Sequence, residues 1–178
     1  MKMMGFNLKK NSADIGLKLG TLIFIISALF YLYDLKFFYN GTLSLISIPL
    51  IMGFGLYSIV NAKKLNNQFL SFKEAFTSYF ICIVVGYLVI SAGDIIIFKF
   101  VDPEAGKIIN EELIIQTKIG FESLPQEYRL SDEVISSQLE NMGNNPRYSY
   151  YSVFMQYMST MLVNIFIGLI SALILKKS

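Results

Sequence analysis

The chain has 178 residues, of which 54% are hydrophobic and only 16% charged, and its formal net charge is +2. Soluble domains carry about 25% charged residues, so this composition excludes an ordinary water-soluble fold, and the small net charge argues against nucleic acid as a partner. Histidine is absent and Cys82 is the single cysteine, which excludes a Cys/His metal cluster and an internal disulfide framework. The composition predicts an all-α membrane protein without a cofactor.

The first predicted span covers residues 15–35 and follows a lysine-rich N-terminal segment. Asn11 and Ser12 are candidate caps for this helix. Asp14 and Lys18 are four residues apart and can pair on one helix face. A cleaved signal peptide is the alternative interpretation, but the apolar run is long for one and lacks a small-residue cleavage site. We therefore expect an uncleaved membrane anchor.

The second predicted span covers residues 39–62 and contains Pro49. A proline is tolerated in a membrane helix when neighbouring helices or hydroxyl groups satisfy the carbonyl that it leaves free. Ser44 and Ser47 lie close enough along the chain to do so. The proline predicts a kink, and a gating hinge is the alternative.

The third predicted span covers residues 72–98. Ser71 and Glu74 have the spacing of a capping box, in which a hydroxyl and a carboxylate satisfy the first free N–H groups of a helix. This pair predicts the point at which the span begins.

An acidic segment follows at residues 99–147, with nine acids against five bases. A first helix is predicted to begin at Asp102, with a proline in its first turn, and to continue to about residue 121. A second is predicted to begin at Ser131 as its cap and to end near Gly143 and Pro146. The segment is therefore an expected two-helix insert between spans three and four.

The fourth predicted span covers residues 149–175 and is free of charge until Lys176 and Lys177. A lysine pair after such an apolar run marks a membrane boundary. Three tyrosines near its start predict an aromatic belt: Tyr148, Tyr150 and Tyr151. With four spans, the chain forms two hairpins and both termini lie on one side of the membrane.

The lysine distribution predicts which side that is. The terminal side collects nine bases on short segments: Lys2, Lys9, Lys10, Lys18, Lys63, Lys64, Lys73, Lys176 and Lys177. Cytoplasmic loops carry the excess of lysine and arginine. We therefore expect a multi-pass protein of the bacterial cytoplasmic (inner) membrane, with both termini cytoplasmic and the acidic insert extracytoplasmic.

An internal similarity links the ends of the second and fourth spans. Residues 55–64 read GLYSIVNAKK and residues 168–177 read GLISALILKK, and five of the ten positions agree. A parallel hairpin repeat would explain this, and chance convergence on small packing residues is the alternative. Gly53 and Gly55 leave room for close approach of a neighbouring helix.

The order and spacing of these features resemble the small bacterial membrane proteins of domain-of-unknown-function family 4199. The motifs are SFKEAF at residues 71–76, the pair Asn145 and Pro146, and the ending LISALILKK at residues 169–177. The resemblance covers nearly the whole chain. It implies a four-span inner-membrane protein of uncharacterised role and supplies no functional residues.

Asp94 is the sharpest functional candidate, because an ionisable group inside a span costs about 2.5–3.5 kcal/mol at the helix centre and is typical of ion or proton handling. It lies five residues before Lys99, about 7.5 Å from the predicted helix end. A structural role is the alternative: the carboxylate reaches the headgroup layer, or bonds Ser91 or a tyrosine.

Ser159, Thr160 and Asn164 lie near the middle of the fourth span. Hydroxyls and amides there usually bond across to another helix, and substrate binding is the alternative. Cys82, in the middle of the third span, is expected to be an inert small hydrophobe.

Three functional classes are compatible with the sequence. The first is a non-catalytic membrane protein whose insert contacts a second copy or a membrane-protein partner. The second is a small oligomeric transporter or channel that uses Asp94 and Asn164. The third is an intramembrane enzyme, which would lack a histidine, paired carboxylates within one span and a nucleophile motif. We therefore expect a protein that is not an enzyme and that has the lipid bilayer as its surroundings.

Overall fold

The computed structural model describes the backbone of residues 2–176 and the side chains of residues 7–176, and this part of the chain is helical without a β-strand. The helices are, in chain order, α1 (Lys2–Tyr33), α2 (Lys36–Tyr39), α3 (Thr42–Leu65), α4 (Phe72–Ile95), α5 (Pro103–Glu122), α6 (Asp132–Asn144) and α7 (Tyr150–Leu175). A π-helical segment, Ile96–Val101, continues α4, and a short 3-10 helix, Gln126–Tyr128, separates α5 from α6. The side chains of Lys2 and Lys177 lie outside the described residues.

Four segments are long and apolar enough to cross a membrane: Asn7–Tyr33, Thr42–Leu65, Phe72–Val101 and Tyr150–Leu175. A span needs about 20 apolar residues in helical form. The predicted fold class, an all-α membrane protein with four spans and a two-helix insert between spans three and four, is confirmed. The protein is therefore a multi-pass membrane protein.

Helix α4 forms the centre of the bundle. It packs against α1, α3 and α7, whereas no described residue of α1 has its Cα within 8 Å of a Cα of α7. Tyr79, Cys82 and Ile83 of α4 are fully buried among apolar residues of the other three helices. The other three spanning helices therefore all pack against α4, which joins them into one bundle.

The contact between α1 and α4 is close because glycines line it. An added Cβ at Gly20 would lie 2.6 Å from the Gly86 carbonyl oxygen, and one at Gly16 would overlap the Cys82 carbonyl oxygen. Small residues let two membrane helices approach until their backbones touch.

Tyr79 explains the internal similarity between α3 and α7. Gly55 and Gly168 occupy the same place in the two similar segments, and both face the Tyr79 ring, from α3 and α7 respectively. A repeated hairpin pair would also bring α1 against α7, and the described residues of these helices make no such contact. Both segments therefore meet one shared requirement, room for the same tyrosine. Gly53 lies two residues from Gly55 and has open space around it.

The predicted capping box is present. The Ser71 hydroxyl accepts from the Glu74 N–H at 3.3 Å, and the Glu74 carboxylate accepts from the Ser71 N–H at 3.0 Å. Ser131 occupies the cap position of α6, but its side chain makes no cap hydrogen bond.

The predicted caps of the first helix are wrong. Asn11 and Ser12 lie inside α1, which extends back to Lys2. The Ser12 hydroxyl donates to the Leu8 carbonyl at 3.0 Å, and the Asn11 amide oxygen accepts from Asn61 at 3.0 Å, so both side chains bond within the bundle. Asp14 does not reach an ion-pairing distance from Lys18 among the described contacts.

The insert is held to the bundle at its base. Asp102 caps α5 by accepting from the Ala105 N–H at 3.0 Å, and it also accepts from the Tyr31 hydroxyl of α1 at 3.0 Å. These bonds lower the pKa of Asp102, the Ala105 N–H having the larger effect. Beyond this base, the side chains of α6 are exposed or only partly buried.

Candidate functional site

A cavity of about 500 Å³ lies between α3 and α7, with α4 as its floor and two residues of α1 at its back. Six of the lining residues are exposed, and all six belong to α3 or α7: Ser44, Ile48, Met52, Gln156, Ser159 and Val163. They lie within membrane-spanning segments, so the cavity opens sideways through the wall of the bundle. We call this cavity the α3–α7 cleft.

The cleft closes at the lysine-rich end of the two helices. There the Lys63 ammonium of α3 donates to the Leu175 carbonyl, in the last turn of α7, at 3.0 Å. A cation at a helix C-terminus satisfies a free carbonyl and complements the helix dipole. The two helices therefore meet at this end, and the cleft separates them on the side towards the insert.

All four candidates chosen from the sequence line this cleft: Asp94, Ser159, Thr160 and Asn164. Their positions on α4 and α7 are far apart in the chain, and the packing of α7 on α4 brings them together. Ser44 and Ser47, proposed as helpers of Pro49, also line the cleft, and α3 continues through that proline.

Asp94 faces the cleft without a partner. Among the described side chains it makes neither a hydrogen bond nor an ion pair, so the predicted bond to Ser91 or a tyrosine is absent. The carboxylate is partly covered by protein. A charge at this depth is costly unless something compensates it.

Arg147 supplies the second charge, and the sequence analysis missed it. It also lines the cleft, and its buried Nε has no hydrogen-bond partner among the described residues. Its backbone N–H donates to the Asn110 side chain at 2.9 Å, and its guanidinium carbon lies 5.9 Å from the centre of the Tyr148 ring. The insert and Tyr148 therefore fix the place from which this side chain enters the cleft.

Tyr148 is buried rather than part of an aromatic belt. Its ring stacks on Phe98, with ring centres 4.1 Å apart, whereas Tyr150 and Tyr151 are exposed as the belt requires. Burial raises the pKa of Tyr148, the charge of Asp94 adds to the rise, and Arg147 opposes it. Both charges therefore act on the same buried tyrosine.

Asp94 and Arg147 are close enough to influence each other electrostatically but do not pair directly. Their nitrogen and oxygen atoms are not within the 4.0 Å of an ion pair. The cleft thus contains one carboxylate and one guanidinium with space between them. Such a pair can bind a ligand that bridges it.

Asn164 has a structural role in addition to its place in the cleft wall. Its amide oxygen accepts from the Tyr79 hydroxyl at 3.0 Å, and its amide nitrogen donates to the Thr160 carbonyl at 2.9 Å. The bond to Tyr79 crosses from α7 to α4, which is the structural alternative considered from the sequence. Asn164 is therefore a helix-packing residue whose amide oxygen and nitrogen each already make one hydrogen bond.

Comparisons with known proteins give a single finding. A family model described as "Protein of unknown function (DUF4199)" matches residues 15–177. No curated protein and no solved structure matches the chain.

Proposed function

Because the chain belongs to the DUF4199 family and is a multi-pass membrane protein, we propose that it is a non-catalytic protein that binds a small ligand in the α3–α7 cleft. The observation that carries this proposal is the presence of two unpaired, opposite charges, Asp94 and Arg147, in one cavity. Small-molecule sites typically enclose about 300–1,000 Å³ with a few polar groups on an apolar wall. The cleft, at about 500 Å³, fits that description.

Leaving the charges of Asp94 and Arg147 unpaired costs free energy. A charged side chain within a span, such as Asp94, costs about 2.5–3.5 kcal/mol when uncompensated at the helix centre, and less near its end. Arg147 lies just outside a span, but its buried Nε lacks a hydrogen-bond partner among the described residues. A ligand that pairs with both removes much of that cost. The free energy of ligand binding therefore includes the relief of two charges that the protein leaves unpaired.

We propose that the protein lies in the bacterial cytoplasmic membrane. Both termini then face the cytoplasm, and the insert lies outside it. The lysines at one end of the bundle and the acidic insert at the other support it. The cysteine introduced by Pro125→Cys should react with a membrane-impermeant maleimide in intact cells. Cys82→Ala in the same chain removes the single native cysteine, so that only position 125 is labelled. Labelling that requires permeabilised cells would contradict this orientation.

A cleft-filling substitution tests ligand binding. The protein purified in mild detergent should show a bound small molecule by native mass spectrometry. Ser159→Trp should abolish this adduct, because its side chain would occupy the cleft. Met158→Trp is the matched control, since Met158 is exposed on α7 and does not line the cleft. Equal adducts in both variants would contradict the proposal.

A second role is proposed for the insert as a contact surface for a partner or a second copy. Its support is a set of uncovered apolar side chains: Leu124, Tyr128, Leu130 and Val134. Uncovered apolar groups of this kind mark interaction sites when they form a patch. Val134→Glu should weaken crosslinking of the insert to its neighbour in native membranes. Unchanged crosslinking would exclude this surface.

A small transporter or channel remains the alternative use of the same cleft. Asn164 supports it less than the sequence suggested, because its amide already bonds Tyr79 and Thr160. Transport would require that Asp94→Asn abolish movement of a solute across reconstituted vesicles. If the protein binds its ligand without transporting it, Asp94→Asn should abolish ligand binding, and the unchanged protein should move no solute.

A further inference from the structure

Both charges of the cleft lie at one end, and the lining deeper along the spans carries no charge and is mainly apolar. Asp94 is near the end of α4, and Arg147 precedes α7 by three residues, so both lie towards the insert. Ile51, Met52 and Ile167 lie deeper along the spans. A ligand that fills the cleft would therefore have a charged head and an apolar body.

The opening of the cleft fits an entry route from the bilayer. On α3 the uncovered lining residues Ser44, Ile48 and Met52 recur every four residues and so lie along one face. At 1.5 Å per residue, this edge runs for about 12 Å along the span. A lipid lying beside the bundle can enter such a side opening lengthwise, with its headgroup at the level of the charges.

From this arrangement we propose that the ligand is a membrane lipid with a zwitterionic headgroup that carries a primary ammonium and a phosphate. The ammonium pairs with the Asp94 carboxylate and the phosphate with the Arg147 guanidinium. The acyl chain covers the apolar part of the cleft. This inference rests on the proposed ligand-binding function and specifies the ligand.

The chemistry of the two groups selects this headgroup over the simpler ones. A guanidinium binds phosphate through parallel N–H donors. An anionic lipid without an amine would satisfy Arg147 but leave Asp94 unpaired beside a second negative charge. A trimethylammonium group has no N–H to donate, so it would approach the carboxylate without a hydrogen bond. A primary ammonium alone satisfies the carboxylate with both charge and hydrogen bonds.

The test is competitive lipid binding to the full chain. The protein is delipidated in detergent and mixed with equal amounts of phosphatidylethanolamine, phosphatidylglycerol and phosphatidylcholine. Native mass spectrometry then counts the bound species. We expect phosphatidylethanolamine to be preferred by about tenfold, the effect of one charge-assisted hydrogen bond. Asp94→Asn should abolish the preference over phosphatidylglycerol, and Arg147→Gln should weaken all three.

Asp132→Asn is the matched control, because Asp132 is an exposed acid on α6 outside the cleft. It should keep the preference of the unchanged protein. The reactivity of buried Cys82 towards a thiol dye shows that each variant is folded. If Asp94→Asn leaves Cys82 exposed, that variant is not folded and Asp94→Glu is used in its place. Asp94→Glu keeps the charge and should keep the preference for phosphatidylethanolamine.

The outcomes separate this inference from the proposed function. Binding of all three lipids to equal extents, sensitive to Ser159→Trp, would overturn the headgroup assignment and leave ligand binding in the cleft intact. Lipid adducts that Ser159→Trp does not change would overturn both. Water-soluble phosphoethanolamine that competes as strongly as the lipid would show that the apolar part is not used, and would overturn the assignment to a lipid.

Discussion

Replacing Gly55 by alanine tests the packing around Tyr79, on which the bundle is centred. An added Cβ at Gly55 would overlap Cε2 of the Tyr79 ring, and one at Gly168 would lie 2.7 Å from Cδ1 of the same ring. The ring therefore cannot move away from α3 without meeting α7. Gly53→Ala is the matched control, because a Cβ there meets nothing within 4 Å.

The expected magnitude follows from the confinement of the ring. Tyr79 is fully buried, and its hydroxyl is bonded to Asn164 at 3.0 Å, so neither end of the side chain is free to adjust. Extra methyl groups in a packed core typically cost about 1–3 kcal/mol. We expect Gly55→Ala to lower the free energy of unfolding by about that amount. Gly53→Ala should leave it unchanged or raise it by up to about 1 kcal/mol, because alanine is the better helix former and its methyl group meets nothing at this site.

The assay can use the single cysteine of the chain. Cys82 is fully buried, so a fluorogenic thiol reagent reacts as the bundle opens during titration with SDS. Tyr79→Leu should remove most of the penalty of Gly55→Ala, because the ring that the methyl group meets is gone. Equal unfolding curves for Gly55→Ala and Gly53→Ala would refute the packing described around Tyr79.

Three further predictions concern the contacts that anchor the ends of the helices. Asp102→Asn should lower the thermal midpoint near neutral pH. Because the folded pKa of Asp102 lies below the ordinary 3.8, this difference should be fully present above pH 3.8 and should shrink as the pH falls below 3.8 through that lowered pKa. A difference independent of pH would be inconsistent with a charged cap. Lys63→Met should destabilise the last turn of α7 by about 0.3–1 kcal/mol, because the Leu175 carbonyl loses its cation, and amide exchange should become faster there. Lys64→Met, which removes an exposed lysine, should leave the exchange rate unchanged. Asn110→Ala should lower the free energy of unfolding by about 1–3 kcal/mol and make the insert sensitive to limited proteolysis, because the Arg147 N–H and the Met142 carbonyl lose their partner. Asn144→Ala, at an exposed site, is the control. Equal proteolysis of the two variants would argue against this anchor.

Hydropathy and charge were sufficient to predict the fold class. The four apolar runs are longer than any soluble helix requires, and the Ser71 and Glu74 pair marks a helix start by local chemistry alone. Local patterns failed where tertiary contacts decide. Asn11 resembles a cap, but its side chain lies inside α1 and accepts from Asn61 of α3 at 3.0 Å, a contact that the sequence does not show.

The site was only half predictable for a similar reason. Asp94 was recognisable because an acid inside a span is costly. Arg147 lies just outside a span, where an arginine is ordinary. Its place in the cleft wall depends on the bond from its N–H to Asn110 of the insert and on the stacking of Tyr148 on Phe98, which the sequence does not show. The one available signal was its position as the last charge before a long apolar run, and this also fits a simple membrane boundary. Tyr79 gave no signal, since its importance depends on two glycines that are far from it in the chain.

The most direct measurement is a crystal structure of the full chain grown in a lipidic mesophase that contains phosphatidylethanolamine. We expect α3 and α7 to stand apart along residues 44–52 and 156–163, with elongated density between them that ends at Asp94 and Arg147. Helices in contact along those residues, with Asp94 and Arg147 paired directly to each other, would contradict it.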